Sequence, residues 1–346
     1  MATQPAPSQP APAAAPVGAA PSAAPPAILV DGVRKRFGDV QAVENISLSV
    51  PRGTILGLIG PSGSGKTTTV RMLTGAIAPD KGKVRVLGED PAHFGPGTRE
   101  RIGYQPQLFS LYPDLTAAEN VDFVASLFGL LLFRRHRRVR EVLEAVDLWE
   151  ARKRRASDLS GGMQRRLELA CALVHEPVVL FLDEPTAGLD PLLRGQVWDQ
   201  LQRLKSAGRT LLVTTQYVHE AEECDNVALI ARGRVIAVST PDALRKEAMG
   251  GDVIEVETRD PFDAAVVANL PEVRDVRQTG PRTFRIVVAD AATATPIVVA
   301  GIGQAGADVV ASREYRPSFD DVFTTLVERD SSTAPTAGAA GADAAA

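Results

Sequence analysis

The chain has 346 residues, 45% of them apolar and 23% charged, enough to bury one large core or two modest ones. A net charge of −4 argues against a coat for nucleic acid, and two cysteines, Cys171 and Cys224, are too few for a disulfide framework and suit a reducing compartment. No apolar run reaches the roughly 18 to 20 residues of a membrane-spanning helix. The longest candidate, Val121 to Phe133, is interrupted by Asp122 and Ser126.

Residues 1–27 consist almost wholly of Pro, Ala, Gly, Ser, Gln and Thr, which predicts an extended, disordered arm. Lacking a basic start and an apolar stretch, the arm does not read as a signal peptide. Residues 28–245 read as an α/β unit. Ile28 to Val33 and Ile46 to Val50 are expected to form an antiparallel layer, and Ile55 to Ile59 a fully buried parallel strand. Further strands are expected at Val84 to Leu87, Val178 to Leu182, Thr210 to Thr214 and Val227 to Ile230. Helical patterns lie at Lys66 to Thr74, Arg137 to Val146, Gly161 to Leu173 and Gln196 to Lys205. Strands alternating with helices imply a mostly parallel sheet. A small α+β domain follows over residues 252–328: strand Val253 to Thr258, helix Ala264 to Leu270, strands Val273 to Gln278 and Phe284 to Val288, helix Thr295 to Gln304, strand Asp308 to Tyr315. That βαββαβ order is ferredoxin-like. The Ala- and Gly-rich tail, 329–346, is expected to fray.

Gly60-Pro61-Ser62-Gly63-Ser64-Gly65-Lys66-Thr67 fits G-x-x-x-x-G-K-[ST] directly after the buried strand and before a helix. Its glycines let backbone N–H groups turn toward phosphates, and the helix adds its positive end. In such a loop Lys66 reaches the β- and γ-phosphates of a nucleotide and Thr67 coordinates Mg²⁺. Val178 to Glu184 is an apolar strand ending in two carboxylates. Asp183 is placed to hold Mg²⁺ through water and Glu184 to orient or deprotonate the attacking water; solvated or helix-capping acids are the alternative. Ser160 is a good N-cap for the helix it opens, and Gly161 and Gly162 leave N–H groups bare.

These residues resemble the ATP-binding subunits of ABC transporters across Ile28 to Leu244. The motifs fall in that family's order: the phosphate loop, Gln107 in Gly103-Tyr-Gln-Pro-Gln107, Leu159 to Met163, Asp183-Glu184, and Ala187-Gly-Leu-Asp190. The resemblance implies a phosphate-loop NTPase core with an antiparallel β-layer and a helical subdomain. It also implies a head-to-tail dimer sandwiching ATP and Mg²⁺. Glu184, Gln216 and Gln107 would be the catalytic set, and Thr67, Gln107 and Asp183 the metal set. Residues Gly60 to Thr68, together with Phe37, Ser160, Gly161, Gly162 and Asp190, would hold nucleotide, Phe37 by stacking on adenine; without the resemblance Phe37 reads as a core residue beside a turn. Leu111 to Thr116 followed by Glu119-Asn120, Met163, and Pro317 to Phe323 resemble the drug-resistance (daunorubicin-resistance-like) branch, whose ATPase pairs with a separate membrane permease. Pro317 to Phe323 also reads as a turn into an amphipathic helix with Phe319, Val322, Phe323 and Leu326 on one stripe.

One position departs from the pattern. Thr214-Thr215-Gln216-Tyr217 has Gln216 where the family carries a histidine that touches the γ-phosphate. A Gln amide still donates a hydrogen bond but cannot carry charge, which predicts a weakened ATPase leaning on Glu184. His219, three residues on, is a weak substitute. The basic run Arg134-Arg-His-Arg-Arg138 with Arg140 leaves three readings open: a solvated helix face, a contact with anionic lipid, or a nucleic-acid contact.

The function expected is therefore an ATPase peripheral to the cytoplasmic face of the inner membrane. As a homodimer or heterodimer, it drives export of a drug, lipid or polysaccharide through a membrane permease, with no nucleic-acid partner. The alternatives are an importer ATPase, one half of an asymmetric ATPase pair, and a soluble ATPase of translation or repair.

Overall fold

The computed structural model describes residues 24–333; most of the expected arm and the end of the expected tail lie outside the described residues. β1 (Ile28–Phe37) alternates buried Ile28 and Val30 with exposed neighbours and turns at Gly38-Asp39 into its antiparallel partner β2 (Val40–Val50). β3 (Ile55–Ile59) is buried at every position, the mark of a strand covered on both faces. α1 (Lys66–Leu73) leads to β4 (Lys81–Val86), antiparallel to β1, and the single turn α2 (Pro96–Arg99) leads to β5 (Ile102–Gln105).

α3 (Ala117–Leu127) starts at a capping box made by Thr116 and Glu119, and α4 (Leu132–Ala145) packs along it. α5 (Gly161–Leu173) starts where the Ser160 hydroxyl accepts from Met163 N–H. β6 (Val179–Asp183) is again wholly buried. α6 (Pro191–Ser206) is capped by Asp190 with proline in its first turn. β7 (Thr210–Thr215), β8 (Asn226–Ala231), β9 (Arg234–Ser239) and α7 (Pro241–Met249) complete the larger unit.

Its nine strands run β4-β1-β2-β9-β8-β3-β7-β6-β5. β5, β6, β7, β3 and β8 are mutually parallel, and β1, β2 and β4 form the antiparallel layer. Alternate residues of the central strands serve two cores. Leu180, Leu182, Leu211 and Val213 face the side of α3 to α6, while Phe181, Leu212 and Leu58 face α1 and the β-layer. Register sets Thr214 beside both Leu58 and Asp183, so β3, β7 and β6 end together. In an open α/β sheet that is where a ligand crevice lies.

The second unit comprises β10 (Asp252–Thr258), β11 (Val273–Gln278), β12 (Thr283–Val288), α8 (Ala291–Gln304) and β13 (Val309–Tyr315), followed by α9 (Phe319–Thr333). Its sheet order, β11-β12-β10-β13, is antiparallel throughout, the ferredoxin-like arrangement expected.

The structure corrects several expectations. Ala264 to Leu270 is not an α-helix. The Asp263 carboxylate caps Ala265 N–H, and successive i to i+3 bonds tighten the segment into a 3₁₀ turn over Ala264–Val267 before Pro271 ends it. The tail does not begin at 329, because α9 runs on to Thr333. Nor does α9 belong to the ferredoxin-like core: Phe319, Val322 and Leu326 join the core of the larger unit, beside Ala221, Leu244 and Ala248. α4 and α6 start five residues earlier than their patterns suggested, and β5, α3, β9 and α7 were not foreseen. No helix among the described residues is long and apolar enough to cross a membrane.

Candidate functional site

The loop from Gly60 to Thr68 joins the end of β3 to α1. A Cβ on Gly60 would lie 2.0 Å from the Ile230 carbonyl oxygen, so no side chain fits there. Gly65 sits at φ +103°, and a Cβ on it would meet the Ala42 carbonyl oxygen at 2.6 Å. Gly65 also caps α1 without a side chain, so the first N–H groups of the helix keep their full positive character. Pro61, Ser62 and Gly63 are exposed, Thr68 is half-buried, and the buried Ser64 hydroxyl has no partner. Lys66 is buried. Its Nζ donates to the carbonyls of Gly60 (2.8 Å) and Pro61 (3.0 Å) and lies 3.7 Å from Glu184 Oε1. Burial lowers its pKa from the ordinary lysine value, against the opposing pull of Glu184 and Asp183.

Across from this loop stand the carboxylates that end β6. Asp183 accepts a short hydrogen bond from the Thr214 hydroxyl through Oδ1, which also lies 3.3 Å from Thr67 Oγ1. Its Oδ2 is buried with no partner. Gln107 Oε1 is 3.4 Å from the same Thr67 hydroxyl, and Gln107 Nε2 donates to Glu184 Oε2 at 3.1 Å. Thr67, Gln107 and Asp183 thus gather hard oxygens around an orphaned carboxylate atom, a donor set that fits Mg²⁺. Glu184 adopts φ 53°, rare for a residue with a side chain, and its N–H is anchored on the Thr214 carbonyl (3.1 Å) and hydroxyl (3.0 Å).

Sequence reasoning missed what holds Gln107. Arg165, on α5, donates to the carbonyls of Pro106 (3.1 Å) and Gln107 (2.9 Å), and pairs with Glu168 at 3.0 Å. Glu168 in turn accepts from Ser110 N–H at 2.8 Å. Both side chains are buried, and burial raises the Glu168 pKa against the pull of its partners. The i, i+3 spacing of opposite charges on a helix was the only signal, and it does not say that the pair faces inward. Removing one member strands a buried charge, so Arg165→Ala is expected to cost about 3–5 kcal/mol of stability. Urea unfolding measures this, and a loss below about 1 kcal/mol would show the pair to be dispensable. Asn120 locks the next segment, bonding the backbone of Tyr112, Leu115 and Thr116.

The remaining predicted residues lie apart from this cluster. Gln216 is exposed directly after Thr215, whose carbonyl accepts from Gly60 N–H. The ring of His219, the weak substitute, bonds Arg194 at 2.8 Å. Phe37 stands half-exposed at the end of β1, with Lys35 Nζ 5.6 Å from its ring centre. Ser160 and Gly161 are exposed at the start of α5, with Gly162 half-buried against Leu189 and Leu193. Asp190 is exposed and caps α6 through Leu193 N–H.

A buried parallel sheet whose central strands end in this loop and this acidic pair defines a phosphate-loop ATPase of the ATP-binding-cassette class. Residues 43–187 match the ABC transporter family model, and residues 240–327 match the C-terminal domain of DrrA1-3-like ATP-binding proteins. The chain is 40% identical to the daunorubicin resistance ATP-binding protein DrrA3 of Streptomyces coeruleorubidus, over 88% of this chain and 96% of that one. It is 44% identical to the Nod factor export ATP-binding protein I of Burkholderia lata, over 66% and 76%. Among solved structures, a dimeric ATP-binding cassette in a post-hydrolysis state with ADP and Pi superposes with a TM-score of 0.58 at 27% identity, over 62% of this chain and 98% of that one. The chain belongs to the ABC transporter ATP-binding proteins.

Proposed function

We propose that this chain is the ATP-hydrolysing subunit of an exporter, working on the cytoplasmic face of the inner membrane with a separate permease. The similarity that carries the reading is to the daunorubicin resistance protein, because it extends through the C-terminal domain. Relatives of similar identity are named for daunorubicin resistance and for Nod factor export, so the cargo, whether drug, lipid or polysaccharide, is selected by the permease.

In this reading the loop Gly60 to Thr68 wraps the phosphates of ATP, Lys66 meets the β- and γ-phosphates, and Phe37 stacks on adenine. Thr67, Asp183 and Gln107 would hold Mg²⁺, which when bound would supply positive charge against the phosphates. Glu184 takes a proton from the attacking water as its oxygen bonds the γ-phosphorus and the bond to ADP breaks. Ser160, Gly161, Gly162 and Asp190, exposed in one chain, close on the ATP of a second, so two chains sandwich two nucleotides. Closure is relayed through Gln107 to the permease, and hydrolysis reopens the dimer.

Gln216 predicts a slowed cycle. A charge-assisted hydrogen bond to the γ-phosphate is worth about 1 kcal/mol more than a neutral one, so Gln216→His is expected to raise turnover several-fold. Steady-state ATP hydrolysis measures it, and an unchanged or lower rate would remove Gln216 from the reacting phosphate. The same residue favours a second reading, an asymmetric dimer with a complete ATPase partner; robust turnover by the purified homodimer would count against it. The exporter reading is tested by tagging the chain and identifying what co-purifies from gently solubilised native membranes. A polytopic protein in near-equal amount is expected, whereas recovery from the cytosol alone would overturn it.

A further inference from the structure

The turn from α3 into the start of α4 carries a feature the ATPase does not use. Leu131, Leu132 and Phe133 are 81%, 63% and 95% exposed, in consecutive positions, with exposed Leu127 at the end of α3 close by in sequence. Isolated exposed apolar residues are ordinary, but three large ones in a row are not. Leu131 also occupies the N-cap of α4, where a polar side chain would normally hold the first N–H groups, and it provides no such bond. The same stretch is strongly basic. From Leu127 to Arg140 there are five arginines and no acid.

The arginines have partners: Arg134 with Glu176, Arg135 with Asp122, Arg137 and Arg138 with Glu141, Arg140 with Glu144. The side chains of Arg134, Arg137 and Arg140 remain mostly exposed in these pairs. Exposed pairs of this kind hold weakly and exchange readily for another anion. Beside the apolar residues lies a cleft of about 320 Å³ lined by Glu100, Phe128, Leu130, Leu131, Arg134 and His175.

From the apolar run, the uncapped helix start and the flanking guanidiniums, we infer that this tip inserts into an anionic membrane surface. Leu131, Leu132 and Phe133 enter the boundary between headgroups and acyl chains. The arginines and the first N–H groups of α4 meet lipid phosphates, combining shallow apolar insertion with attraction to anionic lipid. The occupant is set by charge complementarity: exposed guanidiniums beside an apolar point, able to exchange their acidic partners for lipid phosphates, match a negatively charged bilayer. The contact needs neither permease nor nucleotide, so it stands or falls separately from the exporter reading.

The test uses the purified full chain, without nucleotide, sedimented with vesicles of phosphatidylcholine alone or mixed with phosphatidylglycerol. Binding at least about 10-fold stronger to the anionic vesicles, weakening as salt rises, is expected. Leu131→Ser, Leu132→Ser and Phe133→Ser combined should lower that binding at least about 10-fold while ATP turnover stays at the parent value. Phe133→Trp should keep the binding and shift its fluorescence to shorter wavelength when anionic vesicles are added. No preference for anionic vesicles, unaltered binding by the triple variant, or an unshifted Trp spectrum would each overturn the proposal. So would a chain that ignores vesicles yet still sediments with native membranes through these residues, because the tip would then meet a protein.

Discussion

Glu184→Gln is expected to lower ATP turnover by about 100-fold or more while leaving ATP affinity within about threefold. The two side chains have nearly the same shape, and the amide still bonds Gln107, but it cannot take the proton of the attacking water. The two carboxylates that end β6 are held differently. Asp183 is committed through Oδ1 to the Thr214 hydroxyl and through its position to the Thr67 and Gln107 oxygens. Glu184 is held more loosely, 3.1 Å from Gln107 Nε2 and 3.7 Å from Lys66 Nζ, on a left-handed backbone fixed by two bonds to Thr214. Gln216, in place of an ionisable group, offers no base of its own. Single-turnover hydrolysis measures the loss directly. A variant that turns over at the parent rate would show that the proton leaves by another route.

Lys66→Ala should weaken ATP binding by roughly 100-fold, since charge-assisted hydrogen bonds to phosphate are worth about 1.5–3 kcal/mol. Lys66 is buried with its Nζ bonded to the Gly60 and Pro61 carbonyls, bonds it exchanges for phosphate oxygens when nucleotide binds in the proposed reading. Burial lowers its pKa against the pull of Glu184 and Asp183, because the charge is kept out of water in the free chain. A polyanionic nucleotide relieves that state. Lys66→Arg is expected to bind nearly as poorly as Lys66→Ala, because a planar, forked guanidinium does not reproduce the compact ammonium held between those two carbonyls. Equilibrium titration with a fluorescent ATP analogue checks both; full affinity in Lys66→Arg would mean the pocket is looser than its packing indicates.

What the amino-acid sequence made legible is local chemistry on contiguous residues. The loop from Gly60 to Thr67 and the pair Asp183-Glu184 carry their function in their backbone needs and their place at strand ends, and the structure brings Lys66, Thr67, Gln107, Asp183 and Glu184 into one hydrogen-bonded group. Contacts between distant segments were not legible. Nothing in the helix of Arg165 and Glu168 says that the pair turns inward to hold residues 106–110. The stripe Phe319, Val322 and Leu326 announced a buried helix face, but not that it would bury against the larger unit. Thr116 with Glu119, and Thr240-Pro241 with Gly250, are ordinary start and stop signals for α3 and α7, legible in the residues themselves. Short apolar stretches mislead. Ala264 to Leu270 has helical composition, yet it is bounded by Pro261 and Pro271 and is too short to favour an α-helix over 3₁₀ turns.

In the proposed function, the ATP site is completed by a second chain. The most direct test is the mass of purified Glu184→Gln in sedimentation, with and without saturating Mg-ATP. A monomer without nucleotide, a dimer with it, and a return to monomer when Ser160→Arg is added are expected. A protein that stays monomeric with ATP bound, or a dimer indifferent to both ATP and Ser160→Arg, would contradict it.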